Sequence, residues 1–312
     1  MIICTLGIFL SKSYQDSHSE GVWKMVVAGD MMLNNVSPAV PVFGNWKPVK
    51  ESVFYANLEI PLTDTEKRTA RKSAEEIARR DQFVLKAHPG HIRNLVKGNL
   101  DVVSLGNNHA MDGGSEGLNQ TIGLLNEAKI PYCGAGANWK EAVEPAVVTS
   151  PTGIKIAFVS HLSFLNPSSL QKCTPATFKE PGIMVLTLRN KSGQEEFERL
   201  KRVVERAKSK ADLVVICPHW GIEKQPKPAP YQVSMAHLYI DAGADAVVGN
   251  HPHVLQPAEI YKGKPIFYSL GNLVNPGGGI TAAYEVKYRE KEFQSMTFIP
   301  LRYSSGRIFP RR

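Results

Sequence analysis

Two histidines one residue apart follow directly on a short apolar run in the stretch ADAVVGNHPHVLQ, 244–256. The run ends at Gly249, and Asn250, His251, Pro252 and His253 come next. Gly249 and Pro252 supply a sharp turn at which both imidazoles can face one point. Imidazole is the commonest protein ligand for transition metals. A lone H-x-H is also what a hydrogen-bonded loop contains, so its meaning depends on what else the chain offers.

The rest of the chain repeats the arrangement. Asp30, Glu59, Asn108 with His109, His219, and His251 with His253 each fall close to the C-terminal end of an apolar run. In α/β folds the carboxyl ends of strands form the crevice where sites assemble. Core packing gives no reason to put carboxylate, amide and imidazole repeatedly at that edge. Singly, each has an ordinary reading: Asp30 or Asn108 as a cap or turn residue, His109 as a satisfied buried histidine, Glu59 as the partner of a lysine. Together they predict a shared metal site. Carboxylates, an amide oxygen and neutral imidazoles suit manganese, iron or zinc. Six ligands are too many for one tetrahedral zinc. They are enough for two divalent ions about 3.5–4 Å apart that share a carboxylate bridge. Such a pair acidifies a bridging water and neutralises an oxyanion substrate, which is the chemistry of metal-assisted phosphoester hydrolysis.

The elements that must position these residues alternate along the chain. Strands are expected at Lys24–Ala28, Val53–Ala56, Leu100–Leu105, Lys155–Ser160, Asp212–Cys217, Asp245–Val248 and Pro265–Leu270. Helices are expected at His91–Lys97, Glu116–Ala128, Glu195–Lys208 and Tyr231–Asp241, where apolar residues recur at helical spacing. The tail from Tyr284 alternates apolar and polar residues, as antiparallel strands at the edge of the core would. This pattern predicts an α/β protein with helices covering its sheets. A charged insert, Thr63 to Asp81, reads as a solvated surface excursion. Ser73 and Glu76 form a capping box for a short helix inside it.

Composition sets the outer limits. The chain has 312 residues, 43% hydrophobic and 21% charged, which excludes a disordered chain and gives ample core. Its net charge of +8 fits a polyanion or an anionic membrane face. No basic tail or basic–aromatic alternation supports nucleic-acid binding. The four cysteines, Cys4, Cys133, Cys173 and Cys217, form no CxxC pair, so neither a disulfide framework nor a zinc ribbon can be read from them. The N-terminal MIICTLGIFL is too short to span a bilayer. It resembles the apolar part of a secretory signal but lacks a preceding basic segment and a clear cleavage site. The expected organisation is an N-terminal segment, 1–22, followed by one domain, 23–312.

The motifs GDMML at 29–33, NLE at 57–59, GNNHAMD at 106–112, HWGIE at 219–223, GADAVVGNHPHVLQP at 243–257 and YSLGN at 268–272 resemble those of the CapA family. These are bacterial capsule-synthesis proteins associated with poly-γ-glutamate. The resemblance runs from about Lys24 to Val274, with the motifs in the family's order. It implies a calcineurin-like metallophosphatase fold, a four-layer α/β/β/α sandwich of two mixed sheets flanked by helices. It also implies roles: Asp30 and His253 on a first metal, Glu59 as the bridge, Asn108, His219 and His251 on a second, and His109 as general acid.

The chain departs from the superfamily pattern at two positions. Met32 stands where the metallophosphatases carry a histidine, and a thioether is a poor ligand for a hard divalent ion. Glu59 stands for an aspartate and adds a methylene. Glu223 is either a substitute ligand or a partner that orients one, the second being preferred. His161 is a weaker candidate of the same kind, and Trp220 and Asn272 are expected to be structural or to line the pocket.

Two functional readings follow. One is a metal-dependent hydrolase acting on a phosphoester or on the γ-amide of an anionic polymer. The other is an accessory, polymer-binding component of a membrane-bound capsule synthesis or export complex. In either, the basic residues Arg68, Arg71, Lys72, Arg79 and Arg80 would favour a polyanion. The resemblance places the protein at the cell envelope, membrane-associated or extracytoplasmic.

Overall fold

The computed structural model describes residues 21–186, 193–275 and 277–311. The N-terminal apolar run, Cys4 and the polar segment up to residue 20 lie outside the described residues. Each apolar run expected as a strand contributes to one. In chain order the strands are β1 (Val22–Met31), β2 (Ser52–Leu58), β3 (Val102–Ser104), β4 (Tyr132–Cys133), β5 (Ala135–Gly136), β6 (Ala146–Thr149), β7 (Lys155–Ser163) and β8 (Gly182–Ile183). They continue with β9 (Leu213–Trp220), β10 (Ala246–Val248), β11 (Ala258–Tyr261), β12 (Lys264–Phe267), β13 (Asn272–Val274), β14 (Gly279–Arg289), β15 (Glu292–Ser304) and β16 (Arg307–Pro310). The helices are α1 (Ala74–Ala78), α2 (Ile92–Lys97), α3 (Gly114–Glu127), α4 (Trp139–Ala142), α5 (Pro167–Gln171), α6 (Gly193–Lys208) and α7 (Pro230–Asp241). Ser73 and Glu76 cap α1 reciprocally, as their spacing predicts.

Side-chain parity along the strands sorts the core into three apolar layers, because successive residues of a strand point to opposite faces. Met25 and Val27 of β1 face Phe158 of β7 and Val215 of β9, so this layer lies between two sheets. Val26 and Ala28 face the other way, into a cluster with Leu95 of α2 and Leu118 and Leu125 of α3. On the far side, Ala157 and Val159 of β7 and Val214 and Ile216 of β9 pack with Leu200 and Val204 of α6 and Met235 and Tyr239 of α7. Three apolar layers separate four structural ones, the α/β/β/α sandwich expected. Strands buried on both faces read as continuous apolar runs. Among the described residues, no helix is long and apolar enough to cross a membrane.

The first sheet runs β16-β15-β14-β1-β2-β3-β4, with β13 also paired to β1. The second runs β11-β12-β10-β9-β7-β6. β1 to β4 are mutually parallel, as are β7, β9, β10 and β12. Their C-terminal ends therefore gather at one edge of each sheet. The C-terminal strands do more than fringe the core: β14 pairs antiparallel with β1 along seven residues and makes β1 an interior strand. The short strands β4, β5, β6, β8, β11 and β13 carry no period of their own in the sequence.

β1 and the Leu270–Asn272 turn approach closely just before Asp30. The Asp30 N–H donates to the Gly271 carbonyl at 2.9 Å. A Cβ on Gly29 would run into that same carbonyl oxygen. Gly29→Ala is therefore expected to lower stability by at least about 2 kcal/mol, the scale of overpacking in a fixed core, read as a shift in urea midpoint. A wild-type midpoint would mean that the two segments are not held together.

Candidate metal centre

Glu59 follows β2 immediately and is fully buried. Neither of its carboxylate oxygens has a hydrogen-bond partner among the described residues. What surrounds it is imidazole: Oε1 lies 3.5 Å from His253 Nε2 and 3.7 Å from His219 Nε2. Burial, and next the charge of Asp30, push the Glu59 carboxyl well above the ordinary range, against the pull of His253. A buried carboxylate with its lone pairs unfilled is costly, and a cation is the group that fills them.

Asp30, near the end of β1, is held from both sides. Its Oδ1 accepts from Asn57 Nδ2 at 2.7 Å, and its Oδ2 accepts from the His251 N–H at 3.2 Å. Asn57 is a hub: its Nδ2 also lies 3.4 Å from His219 Nδ1, and its Oδ1 accepts from Ser104 Oγ at 2.7 Å and Asn107 Nδ2 at 3.2 Å. His253 Nδ1 lies 2.8 Å from Asn272 Oδ1 and 3.2 Å from Asp30 Oδ2. Both neighbours accept, so Nδ1 carries the proton and Nε2 faces Glu59. Burial alone would lower the His253 ring, but Glu59 and Asp30 outweigh it and push it up to about 10.

His219 reaches the cluster from β9. Its Nε2 lies 2.8 Å from Asn108 Oδ1 and 3.1 Å from His251 Nδ1. Burial and the neighbouring imidazoles hold His219 and His251 well below their ordinary values, which keeps them neutral and able to ligate. His251 and His253 both sit at positive φ, 99° and 56°. Non-glycine residues there store about 1–3 kcal/mol each, and such strain collects at functional sites. The loop that bears it is tied down where Pro252 O accepts from Lys224 N at 2.8 Å.

Three groups of donors result, each with its ligand atoms within 4.8 Å of one another: Asp30, Glu59 and His253; Glu59, His219 and His251; Glu223, His251 and His253. Glu59 is common to the first two. Five of the six residues proposed as ligands from the sequence fall in these groups, the sixth, Asn108, adjoins them through His219, and the donor set would fit hard or borderline divalent ions.

His109 stands beside the cluster on a cavity of about 670 Å³ that His251 and Glu223 also line. Its Nδ1 lies 2.6 Å from Asp112 Oδ2. A carboxylate only accepts, so Nδ1 carries the hydrogen and Nε2 is the free nitrogen. Burial holds the ring below its ordinary value, with Asp112 opposing and Lys72 adding to the effect. Asp112 is fully engaged: Oδ2 also accepts from the Leu85 N–H at 2.7 Å, and Oδ1 accepts from Lys72 Nζ at 2.5 Å.

Several expectations change. Lys72 belongs to the insert read as solvated, yet it is buried and bonded to Asp112, because the insert folds down onto the site. His161 shares the outward face of β7 with Ala157 and Val159. Its Nε2 meets Tyr239 Oη at 2.6 Å, away from the cluster. Met32 packs half-buried against the apolar layer beneath the first sheet. Trp220 is structural, donating from Nε1 to the Tyr268 carbonyl at 2.8 Å. Asn272 orients His253. Asn57 and Asp112 lie inside the motifs NLE and GNNHAMD but were assigned no role from sequence, and nothing in the sequence singles out Lys72.

Comparison with known proteins identifies the family and the fold. The family described as bacterial capsule synthesis protein PGA_cap matches residues 24–277. The chain is 30% identical over 295 residues to the capsule biosynthesis protein CapA of Bacillus anthracis, covering 90% of this chain and 68% of that protein. It is 30% identical to the PGA biosynthesis protein CapA of Bacillus subtilis (strain 168), covering 83% and 64%. A probable polyglutamine synthesis accessory protein of Mycobacterium tuberculosis is also 30% identical, covering 80% and 65%. The chain thus spans about two thirds of the length of these relatives. Among solved structures, a hypothetical protein from Thermus thermophilus shares the fold with a TM-score of 0.51 at 15% identity, covering 90% of this chain and all of that one.

Removing one partner of a buried ion pair costs about 3–5 kcal/mol. Lys72→Met should therefore lower unfolding stability by about that amount in urea denaturation. A variant as stable as the parent would show that Lys72 does not neutralise Asp112.

Proposed function

Because this chain belongs to the PGA_cap family of bacterial capsule synthesis proteins, we propose that it acts in capsule or poly-γ-glutamate biosynthesis at the cell envelope through a two-metal hydrolytic centre. The observation that carries the centre is Glu59: two buried, unpartnered oxygens set between His219 and His253, beside Asp30. Asp30, Glu59 and His253 would hold one divalent ion, manganese, iron or zinc. Glu59, Asn108, His219 and His251 would hold the other. Ions bound there supply an acidified water and neutralise charge on a phosphoester or on the γ-amide of an anionic polymer.

The chain's own residues do the rest. Asn57 and the His251 N–H orient Asp30, and Asn272 fixes the tautomer of His253. Asp112 holds the Nδ1–H of His109, so Nε2 is the position that would take a proton from the attacking water and pass it to the leaving group. Phe164 lies tilted against the His251 ring, with centroids 4.6 Å apart, and would cover that side of the centre.

A second reading, an accessory component of a membrane-bound synthesis or export complex that binds polymer carboxylates, is favoured by the net charge of +8 and by Met32, which offers only a thioether. The two readings part at turnover.

His251→Ala should reduce metal content, measured by plasma mass spectrometry, from two equivalents to one or none while circular dichroism stays unchanged. Unchanged content would remove His251 from the centre. His109→Ala should keep both ions and lower hydrolysis of bis-p-nitrophenyl phosphate by about 10²–10⁴-fold, the usual contribution of a positioned acid. Equal turnover would exclude His109 as the acid. Two bound ions with no turnover in the parent protein would favour the accessory reading.

A further inference from the structure

One carboxylate at the centre is unlike the others. Asp30 and Glu59 are buried, whereas Glu223 is exposed and lines the cavity. Its side chain makes no hydrogen bond or ion pair with any described residue. A carboxylate oxygen of Glu223 nevertheless lies within 4.8 Å of ligand nitrogens of both His251 and His253. His251 belongs to the donor group of one proposed ion and His253 to that of the other. Glu223 is therefore within reach of a histidine from each donor group, at the cavity.

The backbone beneath Glu223 is fixed. Gly221 has φ 89°, and its N–H donates to Tyr231 Oη at 2.5 Å. A Cβ at Gly221 would lie 2.9 Å from Pro252 Cγ and from Gln232 Nε2. The next bond out, Lys224 N to Pro252 O at 2.8 Å, joins this turn to the residue between the two histidines. The main chain thus holds Glu223 at the mouth of the centre while its side chain stays free to turn. A residue needed only to orient an imidazole would be expected to hydrogen-bond it, and Glu223 does not.

We propose that Glu223 is a third carboxylate ligand, closing the cavity side of the centre until an anionic group of the substrate displaces it. This rests on the two-metal reading given above. Two divalent ions bring four positive charges, and Asp30 and Glu59 answer two of them. Glu223 answers a third in the resting protein. When it swings into the cavity the centre regains a net charge of two toward the incoming group, which suits a phosphate-like dianion. The exchange swaps one carboxylate–metal contact for another anion contact, so it breaks no buried bond.

The test uses the full chain and its Glu223→Gln variant, each titrated calorimetrically with Mn²⁺ and then, loaded, with inorganic phosphate. The variant should bind the weaker of its two ions at least about tenfold less tightly, the lower end of what ligand-sphere changes cost. At Mn²⁺ concentrations that still fill both positions, it should bind phosphate several-fold more tightly. Its metal-free thermal midpoint should not move, because the residue is exposed. Equal Mn²⁺ affinities in the two proteins overturn the ligand role, and unchanged or weaker phosphate binding overturns the displacement. If the parent chain binds no Mn²⁺, the two-metal reading falls together with this one. If both proteins bind two ions equally, only the role of Glu223 falls.

Discussion

Two carboxylates that have no adequate protein partner govern this structure. Asp30 receives hydrogen bonds from Asn57 and the His251 N–H and pairs with His253, Glu59 receives no hydrogen bond among the described residues, and both are sealed from water. Taking such charges out of water costs several kcal/mol each unless positive charge answers them. In the chain alone the answer is His253, drawn up to about 10 by the two acids. Its backbone is held at φ 56° and its ring is aimed by Asn272. A divalent ion would answer the same field more completely, and ligation by His253 would then replace a proton on that ring. The strained histidine loop, the Asn57 hub and the close passage at Gly29 all serve to keep the acids together where they attract positive charge.

Topology makes this concentration of charge possible. Parallel β1, β2 and β3 deliver Asp30, Glu59 and Asn108 to one edge of the first sheet, while β9 and β10 deliver His219 and His251 to the facing edge of the second. The inner apolar layer, from Met25 to Phe267, sets the distance between the edges. β13 completes the arrangement by laying Asn272 beside Asp30 in parallel register. No ligand comes from a helix. The helices cover the outer faces of the sheets and leave the meeting line open to the cavity.

How much could be read beforehand follows from the same logic. Apolar runs mark the buried strands, and a polar residue just past such a run marks the site edge. That Asp30, Glu59, Asn108, His219, His251 and His253 come together is legible on that ground. Parity would have sharpened the picture further. His219 shares a face with Val215 and Cys217, which point between the sheets, whereas His161 shares one with Ala157 and Val159, which point to the helices. Counting by twos separates the residue that reaches the centre from the one that does not. Lys72 is different: no periodicity distinguishes it from Lys67 or Arg71, and only the folding of the insert onto Asp112 buries it. Pairing of β14 with β1 was equally hidden, because a strand's neighbour is set by long-range packing and not by its own alternation.

The cavity's charges show what an anionic partner would meet. The basic insert suggests a cationic surface, but most of its nearby cations already have partners. Lys72 is bound to Asp112, Arg79 to Asp81, and Lys172 on the opposite wall to Glu76. Of the basic side chains lining the cavity, Arg80 is the one without an ion pair among the described residues. Lys172–Glu76 joins the insert to the segment after Phe164 and Lys72–Asp112 ties it to the 106–112 motif, so these pairs hold the cavity's shape more than they charge it. The pull on an anion would then come chiefly from ions held at the centre. The overall excess of +8 acts at longer range, where salt screens it within about 8–10 Å.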